Sequence, residues 1–545
     1  MKRIGVLVAA VAVLTAGILA AVVRGPDAQA LENGVARTPP MGWNSWNTFG
    51  CNINDALIRQ MADSIVSSGM RDLGYKYVVV DDCWMNSTRD SQGNLQANAS
   101  RFPNGMKALG DYLHSRGLLF GIYQAPLDKT CAQYFGSYPG ATGSQGHEAQ
   151  DARQFAAWGV DYLKYDWCSP SGTISEQVTT FAKMRDALAA TGRPIVYSIN
   201  PNSIHAKTGP QRNWGDVANL WRTTEDITNT WDSGQTNGYP MGIQNIVNVT
   251  VPLAGYAAPG RFNDPDMLEV GRGGMNDTEM RSHFALWAMM ASPLIAGNDI
   301  RSQSAATATI LKNQNLIAIN QDSLGLQATQ ISNDGTRRVL AKRLANGDVA
   351  VALFNQGGSA TTVSTTAAAA GKSGSSFTLR DAWTNTTSTT TGSISATVPA
   401  HGTVVYRVSG GGTTTPTTPP AGSTLVSAAS GRCLDVPNSS TANGTQPVIW
   451  DCNGGANQRW TIDGATLQAL GKCLDAPLNA TAGAKVQLWD CNGGTNQQWT
   501  LNADGTVRGT ASGLCLDVDH NLTANGTVVL LWTCTAAANQ RWTRG

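Results

Sequence analysis

Carboxylates, tryptophans and one lysine recur at the ends of apolar runs between Gly42 and Asp266. The most informative segment is D-Y-L-K-Y-D-W-C, Asp161–Cys168. Its alternation reads as a buried strand that delivers Lys164 and Asp166 at its C-terminal end. The same reading places Trp43 and Trp46, Asp81 and Asp82, Tyr123, Asn200, Arg222 and Asp226, and Asp264 and Asp266 at or just beyond other strand ends. This inventory suits an uncharged, hydroxyl-rich ligand: carboxylates accept hydrogen bonds from hydroxyls, and indoles stack on C–H faces. A pair of carboxylates can also cleave a glycosidic bond. Buried aspartates can instead be structural, and those flanking Pro265 could simply build a turn, but so many polar groups converging without a task would be costly. There is no C-x-x-C or H-E-x-x-H spacing and only six histidines, so the reading calls for no metal and no cofactor.

The elements that must position these residues alternate. Helical spacing runs over 55–69, 106–114, 151–158 and 174–190. Strands are expected in the Y-V-V-V run before Asp81 and over 118–123, 162–166, 195–199 and 220–224. Alternation over some 290 residues predicts a (β/α)8 barrel, in which every strand end converges on one mouth. A doubly wound sheet would normally offer a G-x-G-x-x-G loop after its first strand, and none is present. From 326 to 408 the pattern changes to strict alternation, as in V-A-V-A-L-F, which predicts an antiparallel β sandwich packed on the barrel.

The first thirty residues combine Lys2 and Arg3, an apolar run from Ile4 to Val23, and Ala28-Gln29-Ala30, the form of a cleaved secretory signal. A secreted, extracellular protein is expected, without a membrane anchor after cleavage. Lys and Arg number 39 against 38 Asp and Glu, and they are dispersed, which argues against a nucleic-acid partner. Residues 409–423, S-G-G-G-T-T-T-P-T-T-P-P-A-G-S, read as an interdomain linker. The expected organisation is therefore 1–30 signal, 31–325 barrel, 326–408 β domain, 409–423 linker and 424–545 C-terminal domain.

That last segment repeats itself three times at a period of roughly forty residues. G-R-C-L-D-V, V-I-W-D-C and N-Q-R-W are echoed by G-K-C-L-D-A, Q-L-W-D-C and N-Q-Q-W, and again by G-L-C-L-D-V, L-L-W-T-C and N-Q-R-W. Matched spacing argues for bridges Cys433 to Cys452, Cys473 to Cys491 and Cys515 to Cys534. The pattern resembles the ricin B-type β-trefoil lectin domain. The resemblance implies three sugar pockets, built from Asp435, Trp450 and Asn457, from Asp475, Trp489 and Asn496, and from Asp517, Trp532 and Asn539. Only the second copy carries a glutamine two residues before its outer tryptophan, Gln487, so that pocket is expected to be the best equipped. Gln458, Trp460, Gln497, Trp499, Gln540 and Trp542 are expected in the trefoil core.

M-G-W-N-S-W, V-V-D-D-C-W, R-F-P-N-G-M, D-Y-L-K-Y-D-W-C, N-D-P-D-M-L and I-N-Q-D, in that order from about Thr38 to Asp322, resemble the α-galactosidases of glycoside hydrolase family 27. The resemblance implies a retaining mechanism on α-galactosides, with Asp166 as nucleophile and Asp226 as acid/base. Glu225 is the neighbouring acid, set aside because strand neighbours face opposite ways. Asp166 would be ionised with the help of Lys164. Asp226 would hold a proton, a state favoured by burial. Retention calls for carboxyls about 5 to 5.5 Å apart. By the same resemblance Asp81 and Asp82 bind the 4- and 6-hydroxyls, Trp46 flanks the 6-position, Lys164 serves the 3- and 4-positions, and Tyr123, Arg222 and Asp266 complete the pocket. A glutamate in the aspartate pair would favour L-arabinopyranose, and this chain keeps aspartate. Asn200 stands where many relatives place a glutamate against the 2-hydroxyl, which leaves an N-acetylated sugar open. Bridges Cys51 to Cys83 and Cys131 to Cys168 are likewise implied.

Overall fold

The computed structural model describes residues 31, 33–169, 171–202, 207–411, 424–437, 440–452, 456–463, 466–492, 494–502 and 504–544. The expected signal and most of the expected linker lie outside the described residues. The chain divides into two units, one of residues up to 370 with 376–409, the other of 371–375 with 410–545. Among the described residues no helix is long and apolar enough to cross a membrane.

In the first unit eight parallel strands form a curled sheet: β1 (Met41–Asn44), β2 (Tyr77–Val80), β3 (Leu119–Gln124), β4 (Tyr162–Asp166), β5 (Val196–Asn200), β6 (Leu220–Arg222), β7 (Phe262–Asp264) and β8 (Leu294–Ala296). Their order is 7-6-5-4-3-2-1-8, with β1 pairing both β2 and β8. The ring closes where Leu268, just past β7, bridges Ala296: its N–H donates to Ile295 and its carbonyl accepts from Gly297. The barrel expected from alternation is thus present. Tight strand packing explains Gly42, because a Cβ there would meet the Tyr77 carbonyl oxygen at 2.1 Å.

Register places the chemistry. Tyr123 pairs with Lys164, Asp166 with Asn200, and Arg222 with Asp264, so polar residues of neighbouring strands share the level of the C-terminal mouth. The crossover helices are ended by their own side chains. Thr173 and Glu176 form a capping box on the helix Ile174–Ala190, and Asn54 caps Asp55–Ser67. Two disulfides, Cys51–Cys83 and Cys131–Cys168, staple the loops behind β2 and β4.

Eight further strands, β9 (Thr329–Asn333), β10 (Arg337–Arg343), β11 (Val349–Asn355), β12 (Thr361–Thr366), β13 (Phe377–Asp381), β14 (Thr387–Thr390), β15 (Ser393–Val398) and β16 (Thr403–Gly410), form an antiparallel sandwich. Its sheets run 14-13-16-11-10-9 and 12-15. β11 is buried throughout because it has two apolar neighbours. Val349, Val351 and Leu353 enter the sandwich core with Ile394 and Val408, while Ala350, Ala352 and Phe354 join the barrel's core. Period-two alternation sorts the two sets.

Among the described residues of the second unit twelve short strands, from Leu425–Ser427 to Trp542–Arg544, make three four-strand repeats, and the first strand pairs with the last. Trp460, Trp499 and Trp542 are buried at the shared centre, each indole N–H donating to the carbonyl of the leucine after the first cysteine of its repeat. The three expected intra-repeat disulfides are formed.

Candidate active site

The loops at the C-terminal ends of the strands enclose a cleft of about 1180 Å3, lined by Trp46, Asp81, Asp82, Tyr123, Lys164, Asp166, Arg222, Glu225, Asp226 and Asp266 among others. Residues as far apart in sequence as Trp46 and Asp266 meet here because parallel strands end at one level. Beneath it lies a recess of about 30 Å3, too small for a sugar. Asn200 and Asp264 line that recess and not the cleft wall. Asn200 Oδ1 accepts from the Asn202 N–H at 3.1 Å, so the position expected at the 2-hydroxyl is partly committed to its own loop.

One side of the cleft is a rigid polar floor. Asp81 Oδ2 accepts from Asn44 Nδ2 at 2.7 Å and from Lys164 Nζ at 2.9 Å, and Asp81 Oδ1 accepts from the Asp82 N–H. Asp82 accepts from the backbone N–H groups of Cys83 at 2.7 Å and Ala132 at 2.9 Å. Burial nonetheless pushes its carboxyl up to about 6. Asn44 was not foreseen. Its signal lay in M-G-W-N, where the second residue after Gly42 falls on the same face of β1 at the strand's end.

Lys164 Nζ lies 3.6 Å from Asp166 Oδ2 and over the Tyr123 ring. Asp166 Oδ1 is buried without a hydrogen-bond partner among the described residues. Burial drives the Asp166 carboxyl up to about 7; Lys164 and Arg222 oppose this, and the charges of Asp81 and Asp226 reinforce it. As expected, Lys164 favours the charged form of Asp166, but desolvation exceeds the attraction of the ammonium.

Arg222 Nη2 forms an ion pair with Asp266 Oδ2 at 2.7 Å and donates to Asp226 Oδ1 at 3.2 Å. Asp266 also receives the N–H groups of Ile227 and Met267, so its oxygens chiefly hold Arg222 and the following loop in place. Burial pushes the carboxyl of Asp264 up to about 6. Two expectations about Asp226 are revised. Its side chain is 56% exposed in the open cleft instead of buried. And β6 ends at Arg222, so alternation along a strand does not separate Asp226 from Glu225. Both line the cleft, Glu225 buried and Asp226 open to solvent, and Asp226 accepts from Arg222.

In the second unit the outer tryptophans Trp450, Trp489 and Trp532 are exposed on the surface, whereas Gln458, Gln497 and Gln540 are buried. Each repeat builds the same cradle. Asn457, Asn496 and Asn539 donate to Asp435, Asp475 and Asp517, and the buried glutamines donate to the same carboxylates at 2.8 to 2.9 Å. Gln487 Nε2 donates to Asp475 Oδ1 at 3.2 Å, an acceptor bond to an outer glutamine that the other two aspartates lack.

A (β/α)8 mouth that gathers paired carboxylates, a lysine, an arginine and indoles around a cleft, with a β sandwich and a sugar-binding type of trefoil, defines a glycoside hydrolase. Residues 38–322 match the family described as alpha galactosidase A, a melibiase family. Residues 334–408 match the alpha galactosidase C-terminal beta sandwich domain, and 421–543 the ricin-type beta-trefoil lectin domain. The chain is 44% identical over 378 residues to alpha-galactosidase 2 of Arabidopsis thaliana, spanning 69% of this chain and 90% of that protein. It is 42% identical over 347 residues to alpha-N-acetylgalactosaminidase of Gallus gallus, spanning 60% and 81%. The crystal structure of alpha-galactosidase I from Mortierella vinacea superposes with a TM-score of 0.66 at 37% identity, over 70% of this chain and 99% of that one. This chain belongs to the alpha-galactosidase (melibiase) family, glycoside hydrolase family 27, whose members are retaining glycosidases of galactose-related sugars.

Proposed function

We propose that the protein is an exported, exo-acting retaining α-galactosidase that removes terminal α-D-galactosyl residues from oligosaccharides and plant polysaccharides, its trefoil holding it near such polymers. The observation that carries the reading is the Lys164 ammonium, held between Asp81 and Asp166 beside the buried Asp166 Oδ1, which has no hydrogen-bond partner among the described residues. In this reading Asp81, Asp82 and Lys164 grip the ring hydroxyls and seat the anomeric carbon against Asp166.

Asp166 attacks that carbon. A C–O bond to its carboxylate forms as the bond to the leaving oxygen breaks, and Asp226 gives that oxygen its proton. Arg222, fixed by Asp266, holds Asp226 at the cleft wall. Once Asp166 is an ester it carries no charge. A water then loses its proton to Asp226 and attacks the same carbon, and the ester bond breaks to regenerate the Asp166 carboxylate. The site is open where the leaving group departs, which suits an acid that must let the departing group leave and then meet the incoming water.

Asp at position 82, shorter than glutamate, leaves space for a hydroxymethyl group and disfavours the β-L-arabinopyranosidase alternative. An α-N-acetylgalactosaminidase is the second reading, favoured by the 42% identical relative of that name. Rates on the nitrophenyl α-galactoside, α-N-acetylgalactosaminide and β-L-arabinopyranoside decide. The α-galactoside should show the highest kcat/KM, and Asp166→Ala should abolish it. A higher value on either other sugar, or a fully active Ala variant, overturns the proposal. Retained sugar binding with no turnover of any substrate would mean a non-catalytic binding protein.

A further inference from the structure

Exposed large apolar side chains are few in the barrel and sandwich: among the described residues of that unit they are Tyr134, Phe135, Tyr239 and Leu324. Scattered singly, such residues need no explanation. Here Phe135, 64% exposed, and Tyr239, 71% exposed, both line the cleft, and Tyr134 packs edge-on against Phe135 with centroids 5.3 Å apart. Neither cleft ring takes part in the hydroxyl-gripping floor.

Both are anchored to the reacting pair. Phe135 follows the short helix Cys131–Tyr134 and donates its N–H to the Cys131 carbonyl, and Cys131 is bridged to Cys168, two residues beyond Asp166. The Cys131 sulfur lies 4.0 Å from Asp166 Oδ2. Tyr239 sits in the loop that returns to the acid. Asn237 Oδ1 accepts from the Glu225 N–H, and the Met241 N–H donates to the Asp226 carbonyl at 2.9 Å. One ring is therefore tied to the nucleophile and the other to the acid, whose proton goes to the leaving oxygen.

We infer that Phe135 and Tyr239 form a stacking site for the sugar on the leaving-group side of the scissile bond, so that the enzyme selects α-galactosides whose leaving group is itself a pyranose. This rests on the proposed activity. Both rings offer flat, rigid faces to the C–H surface of a hexose. Their exposure is the state expected of a platform that is covered only when substrate arrives.

The test compares two substrates: α-galactosyl fluoride, which carries no ring on the leaving side, and a disaccharide of galactose α-linked to a hexose. For Phe135→Ala and Tyr239→Ala, kcat/KM on the disaccharide should fall about tenfold each, chiefly through KM, which is about 1.4 kcal/mol apiece. On the fluoride it should stay within about twofold. Tyr239→Phe, which keeps the flat face, should retain the disaccharide rate. Equal losses on both substrates would show a merely structural role and overturn the inference, as would unchanged rates on the disaccharide. If the unaltered protein fails to cleave even the fluoride, it is the underlying α-galactosidase reading that falls.

Discussion

Replacing Asp166 by asparagine should destroy turnover and, at neutral pH, make the protein more stable. The carboxyl is buried, with Oδ1 unpartnered among the described residues, and burial moves it from its ordinary 3.8 to about 7. An unfolded chain ionises this group above pH 3.8, whereas the folded chain does so only near 7. Between those values the folded state binds the extra proton, so wild-type stability from this group falls as pH rises from about 4 to 7 and is level above that. At about 1.36 kcal/mol per tenfold change in proton affinity, the charge weakens the fold by about 4 kcal/mol at pH 8. Asparagine mimics the protonated form and escapes this loss. With about 2.1 cal/mol/K of unfolding entropy per residue over roughly 370 residues, the gain corresponds to about 5 °C. Apparent melting temperatures at a fixed scan rate, for wild type and Asp166→Asn from pH 4 to 8.5, measure it. The difference should be near zero at pH 4, grow through pH 5 to 7 and plateau. A gain independent of pH, or a less stable variant at pH 8, would refute the claim that desolvation outweighs Lys164 at this site.

Since attack needs the ionised carboxylate, kcat/KM should fall as pH drops below about 7, with apparent values belonging to the coupled pair, and Lys164→Met should move that acid limb to higher pH. Asp226→Ala should cost about 10² to 10⁴ in kcat on a disaccharide and much less on a dinitrophenyl galactoside, whose leaving group needs no proton; stopped-flow and steady-state rates on the two substrates check this. Asp266→Asn leaves Arg222 buried with a weakened partner at 2.7 Å and should destabilise by about 3 kcal/mol or more, read by denaturant titration. Trp489→Ala, removing an exposed indole beside the Asp475 cradle, should weaken retention on galactan in affinity electrophoresis.

Sequence periodicity alone delivered several elements at their true bounds. Tyr162–Asp166 is a strand and Ile174–Ala190 a helix, as read, because each is long enough to show its burial rhythm and the helix carries its own capping box. The sandwich was legible for the same reason. The three-residue strand β8 was not, since three apolar residues hold no period, and the ring closes there through a single bridge at Leu268.

At the site, residue types and strand-end positions were enough to nominate Asp81, Asp82, Lys164, Asp166 and Arg222 as a sugar-handling group. The repeats likewise separated buried from exposed tryptophans, because identical spacing implies identical environments. Tertiary structure alone decided which carboxyl loses its water, that Asp226 stands in an open loop beside Arg222, that Asn44 braces Asp81, and that Phe135 and Tyr239 share the rim. Those outcomes depend on distances between residues up to a hundred or more positions apart. Local patterning encodes which face of an element is buried, but a carboxyl's charge state is set by everything the fold brings near it.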